Sequence, residues 1–214
     1  MNMKEIYQQR LDRILKAVAL EKPDRTPVVL EYSGFAAHVT HTIMADFLSS
    51  PTKNLETMIQ AYHLVGGGDA INYGSFWPYG LCYDFMAKVR VPGVDLPQNE
   101  MWQIVESELM KAEDYDRILK MGWPAFFEEF LKKRILDDAP TEFFPPHRQP
   151  VDVRREWIAN GVPVLSGGDI TTPIEVLCGA RSLMMFAGDL IHIPDKVQAA
   201  MDEIVPHLAN KAIG

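Results

Sequence analysis

The first twenty positions place apolar residues three and four apart, which predicts an amphipathic helix over residues 3–20. Pro23 and Pro27 come next, and neither a proline nor the residue before it favours helical backbone. The apolar run at 28–30 that follows predicts a short buried strand. Polar side chains come directly after it, so the segment 21–34 has the form of a barrel's first strand, whose carboxyl end carries the chemistry.

Two more strands are predicted further along the chain. Residues 52–65 carry apolar side chains on one helical face, and three glycines at 66–68 end that helix before an apolar segment at 69–73. A helix at 151–160 similarly precedes the apolar segment 162–165. Short apolar strands joined by helices are typical of parallel pairing, because a parallel connection must cross back over the sheet.

The stretch between the second and third strands has another composition. Residues 74–100 are rich in aromatics, glycine and proline and contain an alternating segment at 88–91, which predicts a long loop with a hairpin. Further helices are predicted at 112–120, 123–136, 173–178 and 194–210, and a proline-rich connector at 140–150.

Three short parallel strands among many helices predict an α/β fold, with residues 1–214 forming one domain. A closed barrel needs eight strands and typically about 250 residues, so we expect a partial (β/α)8 TIM barrel with about three of its strands. The third strand would then leave an open edge, and we expect a missing carboxyl-terminal half or self-association to cover it. A flavodoxin-like open sheet is the alternative fold, although no phosphate-binding loop follows the first strand.

The charge balance restricts the partners. The chain has 29 acidic and 21 basic side chains among its 214 residues and a formal net charge of -8. Nucleic acids and anionic membranes attract proteins through cationic patches, so we expect a small-molecule substrate and neither of these as a partner. Two cysteines cannot build a disulfide framework, and no apolar segment reaches the ~20 residues of a membrane span, so we expect a cytoplasmic protein.

Polar side chains follow each predicted strand, and the carboxyl ends of parallel strands meet at one edge of a barrel. A carboxylate held in a dry cleft there acts as an acid, a base or a cation-orienting group. The predicted catalytic residues are Glu31 and Asp169 at strand ends and Glu175 early in the short helix that follows. The predicted substrate-binding residues are Tyr32, Asn72, Tyr73 and Trp77. The structural alternative is that Asp169 caps the next helix and Glu31 pairs with a basic side chain.

Two further patterns allow more than one interpretation. Trp77 belongs to an aromatic cluster at 76–80, which predicts either an apolar wall for a planar ligand or a loop packed on itself. His38 and His41 are spaced to share a helical face, but only Asp46 is near enough in sequence to be a third ligand. A protein metal site needs three or four ligands, so no metal is assigned.

Several short segments recur in the same order in one protein family. They are Arg10-Leu-Asp-Arg-Ile-Leu-Lys-Ala-Val, Lys22-Pro-Asp-Arg-Thr-Pro-Val, Gly68-Asp-Ala-Ile-Asn-Tyr, Pro163-Val-Leu-Ser-Gly-Gly with Thr171-Thr-Pro-Ile-Glu, and Ile193-Pro-Asp-Lys-Val. Through them the chain resembles the amino-terminal part of the uroporphyrinogen decarboxylase superfamily, which also contains methylcobamide:coenzyme M methyltransferases and related corrinoid-linked demethylases. The resemblance implies a (β/α)8 barrel with extra amino-terminal helices.

Departures from the family pattern favour one of its branches. The loop at 32–41 contains none of the arginines with which a uroporphyrinogen decarboxylase holds its acidic substrate. The family's aspartate after the second strand falls near Gly74, and Glu175 replaces a family tyrosine. The resemblance therefore implies methyl transfer between a small methylated substrate and a corrinoid or thiol acceptor. The alternatives are uroporphyrinogen decarboxylation in porphyrin biosynthesis and a non-catalytic ligand-binding or structural subunit.

The methyltransferase branch also implies cofactors. Its members use zinc held by His and Cys ligands from later strands, and a corrinoid protein as partner. The chain ends before the segment where those ligands occur, so no cofactor is assigned to residues 1–214 themselves. Zinc and a corrinoid partner are expected only together with a carboxyl-terminal half, and activity without that half is left open.

Overall fold

The computed structural model describes residues 2–136, 152–166 and 170–213. This part of the chain mixes helices with short strands, and helix predominates. In chain order the elements are α1 (Met3–Val18), β1 (Val29–Leu30), α2 (Phe35–Val39), α3 (Met44–Phe47), α4 (Pro51–Val65), β2 (Ala70–Ile71), a 3₁₀ turn (Pro78–Gly80), α5 (Leu81–Phe85), β3 (Lys88–Arg90), β4 (Gln103–Val105), α6 (Glu113–Met121), α7 (Trp123–Phe130), a π-helical turn (Leu131–Ile135), α8 (Val153–Ala159), α9 (Pro173–Arg181), α10 (Leu183–His192) and α11 (Pro194–Ile213).

Local sequence signals explain where several helices begin and end. Asn2 and Glu5 form a reciprocal capping box at the start of α1, which satisfies two backbone N–H groups that the helix leaves unpaired. Ser50 accepts a hydrogen bond from the Lys53 N–H at 3.1 Å at the start of α4, with a proline at the first helical position. Gly66, at φ +68°, ends that helix in a left-handed conformation that other residues adopt only with strain.

Other expectations need correction. The predicted loop at 74–100 contains the 3₁₀ turn and α5, although its alternating segment does form one strand of the hairpin β3–β4. The helix predicted at 173–178 extends to Arg181, and α10 was missed altogether. Only Ser182 separates α10 from α9, so no loop-like segment marks the boundary between the two helices in the sequence. The predicted connector at 140–150 lies outside the described residues.

Contacts group the described chain into two compact units. The first unit comprises residues 2–77, 91–101 and 152–166, and the second comprises 78–90, 102–136 and 170–213. The single domain expected over 1–214 stays a prediction.

The first unit contains a small parallel sheet. Val29 pairs with Ala70 and Leu30 with Ile71, and Ile71 also forms a parallel bridge with Val164. The three segments predicted as parallel strands therefore lie side by side in chain order, with β2 in the middle. A flavodoxin-like sheet has the order 2-1-3-4-5 and places its first strand between the second and third, so this alternative is wrong.

Helices form much of the core of the first unit, but β1 is not buried as expected, since Val29 is 42% exposed. α4 packs against α2, and α1 packs against α8. The rings of Tyr62 and Trp157 meet edge to face with centroids 5.6 Å apart, a favourable arrangement for aromatic side chains. The indole N–H of Trp157 donates to the Gly74 carbonyl at 2.6 Å, so α8 is tied to the loop that follows β2.

A buried ion cluster lies at the amino end of β2. Asp69 is fully buried and accepts hydrogen bonds from the guanidinium groups of Arg13 and Arg25 and from the Val28 N–H. Arg13 also makes a bidentate pair with Asp24, with both N–O distances at 2.6 Å. One carboxylate thus joins α1, the segment before β1 and the start of β2.

The second unit is mostly helical and has its own ion cluster. The guanidinium of Arg181, 1% exposed, donates to both oxygens of Asp189 at 2.6 and 3.0 Å. It also donates to Glu108 at 2.6 Å and to the Met110 carbonyl at 2.7 Å. The Tyr115 hydroxyl donates to the same Asp189 at 2.9 Å. Every charge in this cluster has a partner, which is what burial of charge requires.

We predict that Asp114 makes the stability of the second unit depend on pH. Burial alone would raise its pKa, but hydrogen bonds from Arg134, from the Lys111 N–H and from Arg117 lower the pKa below the usual value. A lowered folded-state pKa contributes stability above the unfolded-state pKa of about 3.9, and that stability is lost as the pH falls through the folded-state pKa. We expect Asp114→Asn to lower the unfolding free energy by about 2 kcal/mol at pH 6, and by less at pH 3.

The measurement for Asp114 is urea denaturation between pH 3 and pH 6. Asp116→Asn is the matched control, because this exposed carboxylate lies in the same helix and pairs only with the Lys196 ammonium among the described residues. A difference between the native chain and Asp114→Asn that stays constant across this pH range would contradict the assignment.

Candidate functional site

The carboxyl ends of the three parallel segments form one edge in the first unit. The Asn72 N–H donates to the Leu30 carbonyl at 2.8 Å, and the Ser166 N–H donates to the Asn72 carbonyl at 3.0 Å. The residues that directly follow the strands, Glu31, Asn72 and Ser166, therefore lie next to one another. This arrangement agrees with the sequence-based expectation that the strand ends converge.

A carboxylate–amide pair is the main feature of this edge. The Asn72 Nδ2 donates to Glu31 Oε2 at 2.7 Å, a short hydrogen bond of the kind that ionised acceptors form. Glu31 is exposed and Asn72 half-buried. In the described part of the chain Asn72 is the one partner of the Glu31 carboxylate. The alternative interpretation, that Glu31 pairs with a basic side chain, therefore finds no such partner in that part. The carboxylate oxygen that Asn72 does not bind is left for solvent or a ligand.

The two tyrosines predicted to bind substrate, Tyr32 and Tyr73, differ in the groups that a ligand could contact. The Tyr32 hydroxyl donates to the Met58 carbonyl at 2.7 Å, and burial raises the pKa of this phenol. Its proton is therefore committed to α4, so this hydroxyl does not donate to a ligand. Tyr73 is 38% exposed at the end of β2, so its side chain remains accessible.

Helix α4 positions both loops of this edge. Tyr32, after β1, binds the Met58 carbonyl, and one helical turn earlier Asn54 Oδ1 accepts the Phe76 N–H of the loop after β2 at 3.0 Å. Asn54 is 1% exposed, and its Nδ2 has no hydrogen-bond partner in the described structure. An asparagine inside a helix is hard to single out from the sequence, because its partner is a backbone group 22 residues away.

Gly74, in the loop after β2, lies close to α8. A Cβ atom at this position would lie 2.7 Å from Val153 Cγ1 and 3.1 Å from two atoms of the Trp157 indole. These distances are shorter than ordinary Cβ contacts, so a side chain at position 74 would require Val153 and Trp157 to shift. The packing of α8 therefore favours glycine at this position of the first unit.

The aromatic cluster at 76–80 spans the boundary between the two units. Phe76 and Trp77 are half-buried in the first unit, while Pro78–Gly80 forms the 3₁₀ turn of the second. A planar-ligand role for Trp77 therefore stays a prediction.

The remaining predicted catalytic residues lie elsewhere in the chain. Glu175 belongs to the second unit, where it forms a capping box with Thr172 at the start of α9. The Thr172 backbone N–H, followed by its hydroxyl, lowers the pKa of Glu175, so the carboxylate is held ionised as a helix cap. Asp169 lies outside the described residues, and the cap of the helix it was expected to cap is Thr172.

In the part of the chain that the structure describes, the histidines and cysteines form neither a metal centre nor an activated nucleophile. His38 lies in α2 but His41 lies beyond its end, so they do not share a helical face as expected. Within the described ranges, no three His, Cys, Asp or Glu side chains are placed to hold a metal ion. Burial raises the pKa of the Cys82 thiol to about 11 and also raises that of Cys178, which disfavours the reactive thiolate.

The position of the arginines was missed by the sequence analysis. Arg10 donates to the Gly161 carbonyl at 2.7 Å, before the third strand, and Arg13 and Arg25 bind Asp69, before β2. All three lie at the amino ends of the strands, opposite the Glu31–Asn72 pair. Their spacing along the sequence does not reveal this, because the partners are distant in the chain.

Comparison with known proteins identifies neither a family nor a function for the chain. No protein-family model, no curated protein and no solved structure matches the chain. Within the described residues, no helix is both long and apolar enough to cross a membrane.

Proposed function

We propose that the chain is a uroporphyrinogen-decarboxylase-like protein that takes part in methyl transfer between a small methylated substrate and a corrinoid or thiol acceptor. The Glu31–Asn72 pair carries this proposal, because it places a carboxylate and an amide at the carboxyl edge of parallel strands. Enzymes built on parallel barrels bind their substrates at this edge.

Strand order supports the barrel part of the proposal. Three parallel strands adjacent in chain order are how a (β/α)8 barrel begins. A dinucleotide-binding fold also places its first three strands consecutively, but it needs a Gly-x-Gly-x-x-Gly turn after the first strand. Here the residues after β1 read Glu31-Tyr-Ser-Gly-Phe-Ala-Ala, which lack that pattern.

The charge distribution supports methyl transfer over porphyrinogen decarboxylation. A substrate with several carboxylates needs cationic groups to offset its charge when it leaves water. The arginines of the first unit that contact the strands lie at the opposite, amino end and bind Asp24, Asp69 or a carbonyl group. The edge itself carries Glu31, which favours a neutral or cationic substrate.

The described residues do not fit a zinc site, since none of their His, Cys, Asp and Glu side chains form a group of three. We therefore assign them no step at a metal. Their proposed contribution is to bind and orient the methylated substrate: Asn72 fixes one oxygen of Glu31, and the other oxygen accepts a hydrogen bond or faces a positive charge.

The experiment measures thiol-dependent loss of methylcobalamin by absorbance, with identification of the methylated thiol. We expect Glu31→Gln to lower the rate at least tenfold, since the variant keeps the shape of the side chain but loses its charge. Glu56→Gln is the control, because Glu56 is exposed on α4 of the same unit.

Each outcome of this assay selects one function. Equal rates for Glu31→Gln and Glu56→Gln would refute the assigned site. Absorbance changes on binding without a methylated product would favour a binding module, and release of CO₂ from uroporphyrinogen would favour the decarboxylase. Neither binding nor turnover would favour a structural subunit.

A further inference from the structure

A cavity of about 320 Å³ lies in the first unit, apart from the residues assigned above. It opens between the short helices α2 and α3 and the segment 91–101. Its lining comprises Ala37, His38, His41, Thr42, Ile43, Met44 and Asn99. The volume is that of a site for a small molecule, and the lining combines three apolar side chains with four polar ones.

Asn99 presents hydrogen-bond donors to this cavity. Its Oδ1 accepts the Met44 N–H at 3.3 Å, and the neighbouring Gln98 carbonyl accepts the Ala45 N–H at 2.9 Å. These two bonds fix the segment against α3 and assign the side-chain oxygen to the backbone. The Nδ2 group, with two N–H bonds, is therefore the end of Asn99 available to a ligand.

The hydroxyl proton of Thr42 is already used in a hydrogen bond to Thr40. Thr40 Oγ1 lies 2.8 Å from the Ala36 carbonyl, to which only a hydroxyl donor can bond. The 2.8 Å contact between Thr40 and Thr42 must then use the Thr42 proton. Two imidazoles and the Asn99 amide are thus the side-chain donors of the lining, and no carboxylate side chain belongs to it.

The backbone at His41 adopts a conformation that is unusual for residues other than glycine. The His41 N–H bonds to the His38 carbonyl and the Thr42 N–H to the Ala37 carbonyl, which is the Schellman pattern of helix termination. The left-handed residue in that pattern is usually glycine, but here His41 adopts it with φ +56°. Strained positions of this kind cluster at ligand sites.

We propose that this cavity binds a small organic carboxylate. The imidazoles of His38 and His41 and the Asn99 Nδ2 would hold the carboxylate, and Ala37, Ile43 and Met44 would contact its hydrocarbon part. A donor-rich lining without carboxylates selects against cations and favours an anion. A metal ion is disfavoured, because the described residues supply only two ligands of the three or four it needs. The site would bind this ligand whether or not the chain transfers methyl groups.

The first test uses benzoate and its neutral isostere benzamide as probes of the whole chain, with binding followed by NMR shifts of the imidazole nitrogens. Asn99→Asp should weaken benzoate binding about tenfold or more, because the new carboxylate still accepts the Met44 N–H but repels the ligand. Benzamide binding should change less. His63→Gln, outside the cavity on α4, should leave benzoate binding unchanged.

A second variant separates binding from folding. His41→Gly should raise the unfolding midpoint, because glycine adopts the left-handed conformation without strain, and should lower benzoate affinity at least threefold. The proposal is overturned if benzoate does not shift the His38 and His41 resonances, if benzamide binds as tightly as benzoate, or if Asn99→Asp or His41→Gly binds benzoate as well as the native chain.

Discussion

Asp69→Asn is expected to lower the unfolding free energy of the first unit by about 3 kcal/mol, the size of effect seen when one partner of a buried ion pair is removed. The native carboxylate is fully buried and accepts hydrogen bonds from two arginines and one backbone N–H. Asparagine has nearly the same volume, so packing is preserved. It removes the negative charge, and the 7%-exposed Arg13 then faces a neutral group.

The measurement for Asp69 is urea denaturation combined with native-state hydrogen exchange. The Ile71 and Asn72 amides report on the sheet, since they bond to the Pro163 and Leu30 carbonyls. Asp12→Asn is the control: this carboxylate is exposed on α1 and accepts a hydrogen bond from Gln8, so a change within about 0.5 kcal/mol is expected. A loss below 1 kcal/mol for Asp69→Asn would show that the cluster does not hold the unit together.

The large loss of stability expected for Asp69→Asn reflects the number of segments that this one side chain connects. Asp69 directly precedes β2, Arg13 lies in α1 and Arg25 precedes β1, so the carboxylate links three segments of the chain. The hydrogen bond from Arg13 lowers the pKa of Asp24 well below its usual range, although desolvation opposes this shift. Asp24 therefore remains ionised near neutral pH and continues to pair with Arg13.

The carboxyl edge was predictable because it depends on local pattern. Apolar runs with polar residues directly after them placed Glu31 and Asn72 at strand ends, and parallel pairing then required them to be neighbours. The helices with clear apolar periodicity and caps were predictable for the same reason. A signal that repeats every three to four residues is visible within one segment, without knowledge of its partners.

Features that depend on distant residues were not predictable. Asn99 lines the same cavity as His38 and His41 from a segment about sixty positions away, and no spacing rule relates them. The strained conformation of His41 was equally hidden, because histidine is not the residue that usually ends a helix in this way. A regular helical spacing instead suggested that the two histidines share a face, and the helix ends before the second of them.

The close packing of α9 on α5 leads to the second prediction with a large effect on stability. Gly179→Ala is expected to lower the unfolding free energy of the second unit by about 3 kcal/mol, at the upper end of overpacking effects. A Cβ at Gly179 would lie 1.9 Å from the Phe85 carbonyl oxygen and 2.8 Å from its carbonyl carbon. Because backbone atoms cannot rotate away as a side chain can, α9 and the end of α5 would have to separate.

Gly188→Ala is the matched control, since Gly188 also lies inside a helix of the second unit, α10. The nearest atom to a Cβ there is His192 Nδ1 at 4.0 Å, so the methyl group fits. Alanine is a better helix former than glycine, and this variant should gain about 0.5–1 kcal/mol. Urea denaturation of both variants measures the contrast, with hydrogen exchange of the Met110 amide, which bonds to the Ala180 carbonyl, reporting on α9. If Gly179→Ala were as stable as Gly188→Ala, α9 would not approach α5 as closely as described. The opposite signs expected for the same chemical change would show that close helix contact, and not helix propensity, requires glycine at position 179.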